Sequence, residues 1–115
     1  QSNGAGGTVW ADTVVVVMSE FGRTAVSNGS FGTDHGRGSA MLVMGGNVNK
    51  NHKDATEKFN LSTLAGTGSS RALMVHVDYR DVMAEIINRH LGVNLTDVFE
   101  DYTPATSKFL NVIKT

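Results

Sequence analysis

The chain has 115 residues, 40% of them hydrophobic, enough for one small globular core. Ten Lys and Arg against eleven Asp and Glu leave a net charge of −1, with no basic stripe and 7% aromatics, which argues against a nucleic-acid partner. No apolar run approaches the roughly 20 residues that cross a bilayer, no signal-peptide pattern is present, and the lack of cysteine excludes disulfides and thiolate metal ligands. A cysteine-free chain suits the cytoplasm and the periplasm alike.

Gln1–Thr8 is Gly, Ser and Asn without periodicity and reads as a flexible lead-in, with residues 9–115 as the folded remainder. Thr13–Met18 is an uninterrupted β-branched run, expected as a strand covered on both faces in an α/β sheet. Ser19–Ser39 carries glycines at 22, 29, 32, 36 and 38 and is expected as a long ordered loop. Ala40–Met44, closed by Gly45 and Gly46, predicts a second short strand, and a polar segment runs from Asn47 to Arg71. Leu73–Val77 predicts a third strand. Asp78 then caps a helix whose apolar residues Val82, Met83, Ile86, Ile87 and Leu91 share one face, and Gly92 ends it. Leu95–Phe99 and Lys108–Ile113 are short amphipathic pieces separated by Pro104.

Ligands of open α/β sheets collect beyond the carboxyl ends of the strands, and Ser19–Thr24 follows such an end. The second polar cluster, Thr33–Gly38, precedes its strand. The two clusters share one sheet edge only if strand 40–44 runs antiparallel to strand 13–18, which is the pairing expected. Glu20 and Asp34 then offer hard oxygens and His35 an imidazole nitrogen, a set suited to zinc or manganese more than to magnesium or calcium.

Three ordered stretches, VVVMSEFGRT, GTDHGRGSAMLVMGG and VDYRDVMAEIINRHLG, resemble the C-terminal part of an uncharacterised bacterial family in the alkaline-phosphatase/sulfatase-like superfamily, known by a domain-of-unknown-function label. The resemblance runs from about Val9 to Gly46 and from about Leu73 to Pro104. It implies a partial three-layer α/β/α sandwich on a mixed sheet with one antiparallel strand. It puts Glu20 where relatives hold a divalent metal with an acidic residue and His35 where they place a later ligand histidine, with Asp34 as its neighbour. It also implies periplasmic or exported localisation. The nucleophile and further ligands of such proteins come from the N-terminal half of the domain, whose motifs this chain lacks, so it is expected to be a catalytically incomplete fragment. Residues 47–70 depart from the more Gly-rich, aromatic stretch of relatives, and Arg37 stands where relatives often have an aromatic residue.

Each site residue has a plainer reading beside the functional one. Glu20 could cap a turn or pair with Arg23, and His35 could be a hydrogen-bonded structural residue. Asp34 could bind metal directly or orient a ligand histidine. Arg23 and Arg37 could clamp a phosphate or sulfate through bidentate hydrogen bonds or form structural salt bridges. His76 reads as packed, His90 as favoured by the helix dipole and His52 as solvated; Asp78, Arg80 and Asp81 read as capping. Gly4–Gly7 matches no phosphate-loop spacing, and Ser19 lacks the Gly-x-Ser-x-Gly elbow.

The leading expectation is a metal-dependent hydrolase or transferase acting on a small-molecule or glycan ester of phosphate or sulfate. The alternative is a non-catalytic binding or structural module of the same fold. With only three strands predicted, the sheet edges call for cover by a preceding segment or a second copy.

Overall fold

Regular structure starts where the backbone first finds a capping partner: the Thr8 side chain accepts the Ala11 N–H and opens a 3-10 turn at Val9–Asp12. The computed structural model describes residues 4, 6–49, 72, 73 and 75–115. Its strands are β1 (Val14–Val17), β2 (Gly22–Arg23), β3 (His35–Gly36) and β4 (Leu42–Gly45), followed by helix α1 (Tyr79–Leu91) and 3-10 turns at Leu95–Asp97 and Thr106–Lys108. β1 pairs with β4 and β2 with β3, giving two small sheets. The chain divides into two units, one of Gln1–Val16, Val43–His52 and Val77–Thr115, the other of Val17–Leu42 and Lys53–His76.

The first unit holds the buried residues of the core. The Gly46 N–H donates to Trp10 O at 3.0 Å, and a Cβ at Gly45 would collide with the Thr13 carbonyl. The carboxyl end of β4 thus lies beside the amino end of β1, the antiparallel arrangement expected for these strands.

α1 forms as its sequence dictates. The Asp78 side chain accepts the Arg80 N–H at 2.9 Å, Asp81 sits in the first turn, and Gly92 closes the helix at φ 71, a left-handed value that favours glycine. Val82, Ala84 and Ile86 are buried from α1 with Val112 and Ile113 of the C-terminal segment. Full burial of a Val or Ile side chain contributes about 1.5–3 kcal/mol. Val48 and Ile113 form an antiparallel bridge, with Asn49 N–H to Val112 O at 2.8 Å and Lys114 N–H to Asn47 O at 3.0 Å.

Between α1 and that segment lies a fully buried carboxylate. Glu85 accepts from Leu110 N–H (2.7 Å), Ile113 N–H (3.1 Å) and Arg89 Nη1 (3.0 Å). A buried charge is tolerated when its lone pairs are filled in this way.

Several expectations need correction. β1 is not covered on both faces: Val15 and Val17 are 38% and 49% exposed, and Leu42 and Met44 of β4 are 58% and 44% exposed. A two-stranded sheet alternates its side chains, and no second layer lies against the outward row among the described residues. Leu91 is 65% exposed, because the buried stripe of α1 ends a turn earlier. The strand expected at 73–77 does not form among its described residues, and the one bridge nearby joins Thr24 to Ala72, outside that stretch; Met74 lies outside the described residues. Most of the polar segment, including His52, also lies outside them.

Candidate functional site

All five sequence-derived site residues fall in the second unit. The stretch expected as loop folds there as an antiparallel pair, β2 with β3, in the register Gly22 to Gly36 and Arg23 to His35. Thr24 N–H donates to Asp34 O at 3.0 Å, and the Thr24 hydroxyl accepts the Asp34 N–H at 3.1 Å. Glycine makes this possible. A Cβ at Gly22 would overlap the Gly38 carbonyl, and one at Gly38 would sit 2.7 Å from Leu73 O, so three backbone segments stack without side chains between them.

The register fixes the side chains. The Phe21 ring stacks on His35, centroids 3.8 Å apart and planes 15° from parallel. The Arg23 guanidinium lies 5.2 Å from the Phe21 centroid and donates from Nη1 to Thr33 O at 2.9 Å. Arg23 is therefore held by a backbone carbonyl and a ring, not by a salt bridge to Glu20. Asn28 Nδ2 donates to Asp34 Oδ1 at 2.8 Å, which holds that carboxylate in place. Glu20 is exposed at the bend before β2, and Arg37 is exposed between Gly36 and Gly38. A depression of about 500 Å³ is lined by Ser19, Phe21, Gly22, Arg23, Gly38, Ser39, Ala40 and Leu73. Its lining includes two serines and one arginine, residue types that can solvate an anion.

The fold thus brings Arg23, Phe21, Asp34 and His35 together, with Glu20 adjoining Phe21 in the chain. It does not gather Glu20, Asp34 and His35 into a coordination shell: among the described residues no three His, Cys, Asp or Glu side chains are placed to hold one ion. Sequence reasoning missed Phe21 and Asn28. Asn28 was findable, since Asn followed by Gly is a turn signal; the Phe21 stack depends on the strand register and had no local sign.

In the first unit, Asp78 and Arg80 cap α1 as expected. Arg80 pairs back onto the Asp78 carboxylate at 2.6 Å, and that hydrogen bond holds the Asp78 carboxyl below its usual range, against the opposing effect of burial. Asp81 accepts from the Tyr102 hydroxyl, which in turn accepts from Lys108 Nζ at 3.1 Å. The bond to Tyr102, with the Asp81 charge, raises the Lys108 ammonium pKa. His90 Nε2 lies 3.0 Å from Asp12 O, which gives it a packing partner at the helix end.

Taken together, the described residues form a mixed protein of one helix and small antiparallel sheets, with Phe21 stacked on His35 beside a glycine-built strand pair. A family model described as "Protein of unknown function (DUF1501)" matches residues 7–103. The chain belongs to the DUF1501 family. No curated protein and no solved structure shows a significant match to it. No helix among the described residues is long and apolar enough to cross a membrane.

Proposed function

We propose that this chain is the metal-site portion of a hydrolase or transferase of phosphate or sulfate esters, built on an alkaline-phosphatase/sulfatase-like three-layer α/β/α sandwich. The observation that supports the reading is the β2–β3 register, which sets Arg23 beside His35 and so joins the Ser19–Thr24 and Thr33–Gly38 motifs. The donor types of Glu20, Asp34 and His35 suit zinc or manganese. Three such donors do not meet among the described residues; the resemblance assigns further ligands and a Ser, Thr or Cys nucleophile to the N-terminal half of such a domain.

The bound ion would supply Lewis acidity at an ester oxygen. The chain's own residues position: Phe21 fixes the His35 ring plane, Asn28 fixes Asp34, and Arg37 with Arg23 offers positive charge to the anionic group. The substrate is a small-molecule or glycan ester, and the compartment is the periplasm or beyond. The exposed apolar row of β1 and β4 is covered by another segment of the protein or by a second copy.

Metal analysis of the purified full-length protein tests this. It should show a stoichiometric divalent ion, and His35→Ala or Glu20→Gln should lower affinity at least tenfold by competitive chelation. Absence of the ion, or unchanged affinity in both variants, overturns the reading.

A second reading is a non-catalytic binding or structural module. It is favoured by Arg23, whose guanidinium is already engaged by Thr33 O and the Phe21 ring. Ester turnover by the full-length protein that is lost in His35→Ala excludes it.

A further inference from the structure

The connection from β2 to β3 contains an Asn–Gly pair, Asn28–Gly29. In such a pair the side-chain amide can close on the next backbone nitrogen, because glycine presents no Cβ to obstruct the approach. The loop arranges groups around that reaction. Asn28 Oδ1 accepts two backbone donors, Ser30 N–H at 3.0 Å and Gly32 N–H at 3.1 Å, while Asn28 Nδ2 donates to Asp34 Oδ1 at 2.8 Å. Two N–H groups on one amide oxygen draw electron density from Cγ and stand ready for the oxyanion that forms when Cγ is attacked.

The attacking side is open. Gly29 is exposed, a Cβ built on it would meet no atom within 4 Å, and its N–H donates to no group among the described residues. Base and water therefore reach it. The backbone on either side is held: Asn28 N–H donates to Gly32 O at 2.8 Å, and Phe31 N–H to Asn28 O at 3.3 Å.

We propose that Asn28 closes on Gly29 in the folded protein, so that the β2–β3 connection carries a one-way deamidation switch acting on Asp34. A buffer base takes the Gly29 amide proton, the nitrogen bonds to Asn28 Cγ, and the Cγ–Nδ2 bond breaks, with Nδ2 taking a proton from water and leaving as ammonia. Water then opens the cyclic imide at either carbonyl, giving aspartate or isoaspartate at position 28. Either product replaces the Nδ2 donor by a carboxylate facing that of Asp34, and like charges in contact repel. Isoaspartate also adds a methylene to the main chain between β2 and β3. The proposal stands on the loop alone and is independent of the ester-site reading.

The test is peptide mapping by mass spectrometry, with fragmentation that separates aspartate from isoaspartate, on the full-length protein incubated at neutral pH in isotopically labelled water. Position 28 should convert to both products with one labelled oxygen incorporated. Conversion should be at least about tenfold faster in the folded protein than in denaturing urea, a fraction of the roughly hundred- to thousandfold that one oxyanion donor contributes in an enzyme site. Gly29→Ala, which the open space around Gly29 accommodates, should lose most of the conversion. Asn28→Asp, which installs one product directly, should lower the melting temperature by a few degrees. No conversion in the folded protein, conversion as fast or faster in urea, or a wild-type rate in a folded Gly29→Ala variant overturns the proposal. An Asn28→Asp variant that melts with the wild type overturns the action on Asp34. Should Gly29→Ala fail to fold by circular dichroism, the comparison of folded and urea-unfolded wild type decides.

Discussion

Replacing Glu85 by alanine removes the acceptor of two backbone donors, Leu110 N–H and Ile113 N–H, in a site where the carboxylate is 0% exposed. Each buried N–H left without a partner costs about 1–3 kcal/mol, so the pair sets a loss of about 2–6 kcal/mol. Loss of the Arg89 ion pair adds little, because Arg89 keeps Asn111 Oδ1 at 3.0 Å and is partly solvated. That is a large part of the roughly 5–15 kcal/mol that holds a small domain together. Glu85→Gln should fall between, since both carboxylate oxygens accept backbone N–H groups and the new amide nitrogen must face one of them. Urea unfolding measures the total. Amide exchange locates it: Leu110 and Ile113 should exchange about a hundredfold faster, the equivalent of about 3 kcal/mol. A loss below about 1 kcal/mol for Glu85→Ala, or unchanged exchange at both amides, would refute the claim that this carboxylate pins the C-terminal segment.

Two further outcomes follow from the same reasoning. Gly22→Ala places a methyl on the Gly38 carbonyl, a backbone atom that cannot swing aside, and should destabilise the second unit by more than about 2 kcal/mol; near-native melting would count against the packing described. Asp78, with a carboxyl pKa held below the ordinary 3.8 by Arg80, contributes stability that is full above that value and is lost as the pH falls through the folded-state pKa. Asp78→Ala should cost about 1 kcal/mol at neutral pH and flatten that acid loss. Parallel melting curves for wild type and variant from about pH 5 downward would sink the assignment.

The helix was legible because its determinants are local: Asp78, the Val82 and Ile86 spacing, and Gly92 all act within a turn of where they stand. The β1–β4 pairing was legible as well, through the requirement that two polar motifs share an edge. β2 and β3 were not, because two-residue strands of Gly, Arg and His carry no period-two pattern and their pairing is decided by backbone approach. Exposure on β1 was hidden for a related reason: an all-valine run looks the same whether one face or both are packed. For the site, residue types pointed to Asp34 and His35, while Asn28 and Phe21, which hold them, emerged only from the loop and register.

The seam of Gly22, Gly38 and Leu73 has a consequence for how variation in this chain reads. A side-chain interface has rotamers with which to absorb a change, so its tolerance is graded. A seam of bare backbone has none, and its response is all or nothing at Gly22 and Gly38. Arg37, exposed beside that seam, meets no such limit, so one step along the chain separates a position open to new chemistry from one that admits only hydrogen.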